Sequence, residues 1–199
     1  MKRVIAIVIA LCLLTACAPE FIAHKSGSIA YVARGPFGDA MVFPLEGSDG
    51  RTLRTFPGTR YAADKDYVYY EGSTLRNIDA KAFQALSEHH GSDGTYVYHR
   101  GERIDGADPS TFKVLNYWFG KDRSSVFGGP KKYPACDVAT FQVLKKGWSR
   151  DAKCVFAPEG VVPELDAATF EPYSQACGKD KFGYFNRFGR KRSDGPKDC

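Results

Sequence analysis

The chain has 199 residues, with 28 Lys and Arg against 23 Asp and Glu for a formal charge of +5, and 14% of its residues are aromatic. That length suits a single domain after removal of a leader. So mild a positive charge leaves no nucleic-acid footprint, and no apolar stretch after the N-terminus is long enough to span a bilayer.

The start reads as an export signal. Met1-Lys2-Arg3 carries two positive side chains and Val4 to Leu14 is an unbroken apolar run of eleven residues, too short for a transmembrane helix. Leu14-Thr15-Ala16-Cys17 follows and resembles the lipobox of bacterial lipoproteins. The resemblance implies a signal peptide over residues 1–16 and lipidation of Cys17. Residue 18 is Ala rather than the Asp that retains such proteins in the inner membrane. It therefore implies anchoring in the outer membrane, facing the periplasm, in a Gram-negative cell. Removing residues 1–16 takes the formal charge from +5 to +3. Residues 17–27 read as the lipidated cysteine and a tether reaching at most ~35 Å.

Next comes a 29-residue period. Asp64, Asp93, Asp122, Asp151 and Asp180 are each 29 residues apart. Four residues on stand Val68, Val97, Val126, Val155 and Tyr184, then Tyr69, Tyr98, Phe127, Phe156 and Phe185. Leu75, Ile104, Tyr133 and Val162 share a phase, as do Asp79, Asp108, Asp137 and Asp166. So do Phe83, Phe112, Phe141 and Phe170, and Leu86, Leu115, Leu144 and Tyr173. Columns sustained at one spacing are the signature of a repeat array.

Valine followed by aromatics is strand chemistry. Turns are marked by Glu71-Gly72, Arg100-Gly101, Gly128-Gly129-Pro130, Glu159-Gly160 and Phe188-Gly189. The segment Asp108-Pro109-Ser110-Thr111-Phe112 and its equivalents have an N-cap Asp and, here, Pro at the first helical position. The expected unit is thus a β-hairpin plus a short helix, an α+β, β-rich array. Residues 28–60 read as a degenerate first repeat or cap, 61–189 as the repeat domain and 190–199 as a basic C-terminal tail.

The recurrent aromatic column reads as packing between units. Tyrosines that do not recur, Tyr67 and Tyr70, are candidate surface residues, joined by Tyr96 and Trp148 as candidate binding rings. The Asp64 column offers one carboxylate per unit, because the second acid at Asp66 becomes Thr95, Ser124, Lys153 and Phe182 or Lys181 in later units. One carboxylate makes a poor calcium site, and an Asx-turn leading into the strand fits better.

Asp64-Lys65-Asp66-Tyr67-Val68-Tyr69-Tyr70 resembles the motif that names the DKNYY repeat family, and Asp108 to Leu115 resembles the second half of that repeat. Gly94 and Ala152 depart from it at the lysine, and the second aromatic is lost after the first unit. The resemblance implies an envelope-associated repeat protein and transfers no catalytic residues.

Cys12 leaves with the leader, so Cys136, Cys154, Cys177 and Cys199 remain. An even number in an exported chain reads as two disulfides, with Cys136–Cys154 and Cys177–Cys199 the pairing expected from position. No C-x-x-C pair supports zinc. His89-His90 sits where the first helix would end and complement its dipole. No G-x-S-x-G, H-E-x-x-H or phosphate-binding loop occurs, so no enzyme activity and no cofactor is expected. The expected function is a lipid-anchored, non-enzymatic scaffold that binds a protein in the envelope, an immunity-type role against a toxin being one version. The alternative is a carbohydrate- or peptidoglycan-binding module.

Overall fold

The computed structural model describes residues 20–35 and 39–192. The signal peptide, the lipobox with Cys17, and Cys199 lie outside the described residues.

Three strands open the fold, β1 (Glu20–Ala23), β2 (Ile29–Arg34) and β3 (Ala40–Leu45), in an antiparallel sheet with β2 in the middle. Strand β1 therefore occupies part of the stretch 17–27 read as tether. Next comes a four-stranded meander: β4 (Arg54–Thr55), β5 (Tyr61–Ala63), β6 (Val68–Tyr70) and β7 (Ser73–Leu75). Four more sheets of this order follow, over residues 84–103, 113–133, 142–161 and 171–192. The fourth strand of the last sheet is Lys191–Arg192, so the start of the basic tail is part of the frame.

The sheets are stacked in series, and side-chain alternation explains how. Val68 and Tyr70 face forward onto Phe83 and Tyr98 of the next unit, while Tyr69 faces back onto Phe21, Ile29 and Leu45. The same division recurs: Val97 meets Phe127, Val126 meets Phe156, and Val155 meets Phe185. Each junction is a small apolar core supplied by two units. Strands of two to four residues make sheets too small to stand alone, and stacking buries both faces.

The expected short helix is absent, and the fold class is corrected from α+β to all-β. Asp79, Asp108, Asp137 and Asp166 do accept backbone N–H groups two or three residues ahead. The chain then turns once and enters a two-residue strand: Gln84–Ala85, Lys113–Val114, Gln142–Val143 or Glu171–Pro172. An Asp that caps a helix also closes an Asx-turn. With about five residues before the next strand, a helix nucleus is not repaid by propagation. Among the described residues the helical segment is one 3-10 turn, Lys145–Gly147, in which Lys146 has φ +64°.

Candidate functional site

The aspartate column holds the units together. Asp64 Oδ1 accepts from Asp66 N and Tyr67 N at 2.8 and 2.7 Å, closing the turn before β6. Its Oδ2 accepts from Asp49 N at 2.8 Å and the Tyr69 hydroxyl at 2.6 Å. Asp122 repeats this with Ser124 N and Ser125 N on Oδ1 and Asp108 N on Oδ2. In Asp151 the donors are Lys153 N and Cys154 N, then Cys136 N and Asp137 N. One oxygen thus fixes the local turn and the other ties it to the connector about 14 residues upstream. Burial by itself raises the carboxyls of Asp64, Asp93 and Asp122. The donors aimed at them outweigh burial, so all three lie below the usual range. These oxygens are engaged, which leaves calcium no ligands. The one cluster with metal-ligand geometry among the described residues is Cys136, Asp151 and Cys154. Its two sulfurs are bonded to each other as the Cys136–Cys154 disulfide, and both Asp151 oxygens accept amides, so it does not offer a metal its lone pairs.

A polar cluster sits at the junction of the first three repeat sheets. His90 occupies the column held elsewhere by Tyr61, Phe119, Trp148 and Cys177, an inward position of the second strand of each sheet, and is buried. Its Nδ1 meets Ser87 Oγ at 3.1 Å, its ring centre lies 4.8 Å from that of His99, and its Nε2 has no hydrogen-bond partner. His99 Nε2 donates to Tyr117 O at 3.0 Å, and His89 Nδ1 meets the Tyr70 hydroxyl at 2.7 Å. Burial, then the neighbouring His99 and His89, pushes His90 down to about 4. His89 and His99 are also lowered, chiefly by burial. Burial raises the Tyr70 phenol, so this cluster holds neutral rings and no activated nucleophile.

The exposed constellation is built of Tyr–Arg pairs in consecutive units. Arg76 Cζ lies 5.9 Å from the ring centre of Tyr67, and Arg103 Cζ lies 4.8 Å from that of Tyr96. Arg76, Asn77, Ile78, Tyr96, Tyr98, Gly101 and Arg103 line an open cavity of about 290 Å³ between the two pairs. Arg103 is held by Asp105, with Nε–Oδ1 2.7 Å.

Of the four rings singled out in the sequence, Tyr96 is exposed and Tyr67 half-buried under Arg76. Tyr70 and Trp148 are buried, a correction with a physical cause in each case. Tyr70 points into the first junction core and is fixed by His89, with Arg100 Nε 3.4 Å from its hydroxyl. Trp148 stacks on Phe170 with ring centres 4.8 Å apart and donates Nε1–H to Ser174 O at 2.8 Å. Its phase with Tyr61 and Phe119 was the signal for a core position. His89 and His90 end no helix; they enter the strand His90–Ser92. Cys136 and Cys154 pair as expected. Cys177 is buried and does not carry a free thiol, while the partner expected for it, Cys199, lies outside the described residues. Arg76 and Arg103 were not picked out from the sequence, because neither holds a fixed phase with the other.

Neither a search of curated proteins nor one of solved structures returns a match. A family model does match, over residues 61–188, from the strand that contains Tyr61 to the last turn of the fifth repeat sheet. With the 29-residue period and the stacked meanders in place over that span, the chain belongs to the DKNYY family.

Proposed function

We propose that this chain is a lipid-anchored, non-enzymatic repeat protein of the bacterial envelope that binds another protein through its Tyr67–Arg76 and Tyr96–Arg103 face. The observation that carries this is the pair of Tyr–Arg stacks flanking one open cavity. Tyr and Arg are the side chains that dominate protein interface energetics, and a cavity between them suits an anchoring side chain of the partner. The aspartates and histidines serve the frame, which supports a binding role over a catalytic one. An immunity-type partner, a toxin reaching the periplasm, is one version of this reading. A glycan-stacking role would rest on Tyr67 and Tyr96 alone, since Tyr70 and Trp148 are buried.

Two measurements test it. Palmitate labelling of the wild type, abolished in Cys17→Ser, is the expected result for the anchor; label retained by the variant would refute it. Affinity capture from detergent-solubilised envelopes should recover a protein that the Tyr96→Ala/Arg103→Ala double variant does not. Equal recovery, or binding to purified peptidoglycan that the double variant loses, would count against the protein-binding reading.

A further inference from the structure

We propose that the outer face of the N-terminal sheet rests on the lipid surface beside acylated Cys17; this rests on the lipoprotein reading above. Alternation divides that sheet into two sides. Phe21, Ile29, Tyr31 and Leu45 pack with Ala62 and Tyr69 of the first repeat sheet. Ile22, Ala30, Val32, Val42 and Pro44 therefore occupy the opposite side, Ile22–Ala30–Pro44 in one row and Val32–Val42 in the next. Ile22, Met41, Val42 and Phe43 are 40, 53, 54 and 44% exposed. Among the described residues no other strand carries three consecutive exposed large apolar side chains. A patch of this kind marks a docking surface rather than ordinary solvated exterior.

The chain itself selects the occupant. Strand β1 begins at Glu20, so only Ala18 and Pro19 separate it from Cys17. At ~3.8 Å per step the Cα of Cys17 lies no more than ~11 Å from that of Glu20. An acyl anchor so close to the sheet brings the first structured strand to the headgroup layer. Apolar side chains there sit at the depth of ~5–10 Å reached by interfacial elements. The outer edge of β3 has no strand partner, and an apolar edge left in water invites pairing with other chains. Pro44 removes one donor from the edge strand. Glu20 shares a row with Val32 and Val42, and at headgroup level the ammonium of phosphatidylethanolamine would meet its carboxylate. The anchor and the sheet thus act as two signals for one surface, and the stack of repeats points away from it.

The test uses the acylated full chain in phosphatidylethanolamine–phosphatidylglycerol vesicles with brominated acyl chains. An indole is introduced by Val42→Trp or, separately, Met41→Trp, both at exposed positions. Palmitate labelling is scored first. The expected result is bromine quenching several-fold above that of Phe188→Trp, an exposed position in the fifth repeat sheet, each read against the parent with its own Trp118 and Trp148. Labelled protein in which both indoles are quenched no more than that of Phe188→Trp overturns the seat while keeping the anchor. Protein that takes no label overturns both. Protection from aqueous iodide without bromine quenching would place a second copy or a protein on the face, and also overturns the proposal.

Discussion

The ring of Phe83 lies on the bare backbone of Gly91, so close that a Cβ there would come within 2.3 Å of Phe83 Cζ. Gly120 stands in the same relation to Phe112, and Gly178 to Phe170, each at 2.2 Å. The opposite strand places Tyr98, Phe127 and Phe185 directly across from these glycines. Each unit thus carries a ring over a strand that has no side chain to hold it off. Gly120→Ala should cost about 1–3 kcal/mol through overpacking, because Phe112 must shift against Phe127 and His90. Denaturant melts at fixed pH read this, and an unchanged midpoint would mean that the Phe112 ring relaxes freely.

Much of this frame was legible in the sequence, and the exceptions have local causes. Fixed phase identified Tyr69, Phe127 and Phe156 as packing residues, and they do face the preceding unit. The small-residue column Ala62, Gly91, Gly120, Ser149 and Gly178 has the same period, and it explains where the loop phenylalanines go. The helix failed because the same Asp-x-x-Thr pattern closes a turn when a strand follows at once. Tyr70 shows a different limit. A residue type that does not recur was read as exposed, but the position is buried in a neighbourhood of its own, where His89 supplies the partner. The Tyr96–Arg103 stack depends on two side chains meeting across a hairpin, which no period encodes.

The aspartate latch predicts a cost out of proportion to the atoms changed. In Asp122→Asn one carboxylate oxygen becomes an NH₂ group that faces either the Asp108 amide or those of Ser124 and Ser125. The loss should be about 2–3 kcal/mol, the scale of a charged acceptor replaced where donors remain buried. Asp66→Asn, whose counterparts do not recur and whose side chain is exposed, should cost a small fraction of that. Equal urea midpoints for the two variants would remove the latch from the account of stability.

Acid should loosen the array through His90. Its folded pKa is about 4 against 6.5 for the ordinary side chain. Between those values the unfolded chain binds the extra proton, so stability is full above pH ~6.5 and falls as pH drops toward 4. The difference corresponds to about 3 kcal/mol for this one group. His89 and His99, shifted the same way, add to the fall. Arg60 and Arg100 oppose protonation of His89, while Glu88 and Glu71 favour it. The Asp64, Asp93 and Asp122 carboxyls, held below their ordinary 3.8, lose their share only at lower pH. Urea midpoints from pH 7 to pH 4 should therefore slope downward in the wild type and flatten in His90→Phe. The same slope in both would show that another group governs the acid response.

The Cys136–Cys154 bridge should stabilise the third and fourth units more than its exposed setting suggests. It closes a loop over a sequence separation of 18 residues, spanning the turn at Val138, the strand Gln142–Val143 and the 3-10 turn at Lys145–Gly147. That loop holds Phe141 against Phe119, Tyr133 and Phe156, and its cysteine ends donate amides to Asp151 on both sides of the carboxylate. In the chain-entropy model a loop of this length is worth about 3 kcal/mol. The amides of Cys136 and Cys154 belong to the backbone, so Cys136→Ala/Cys154→Ala keeps the Asp151 latch and isolates the covalent term. The double variant should melt at lower denaturant than the wild type, and a reductant should lower the wild type while leaving the double variant unmoved. A wild type whose midpoint does not respond to reductant, while peptide mapping shows both thiols freed, would mean that the Asp151 amides and the Phe141 packing hold the loop by themselves.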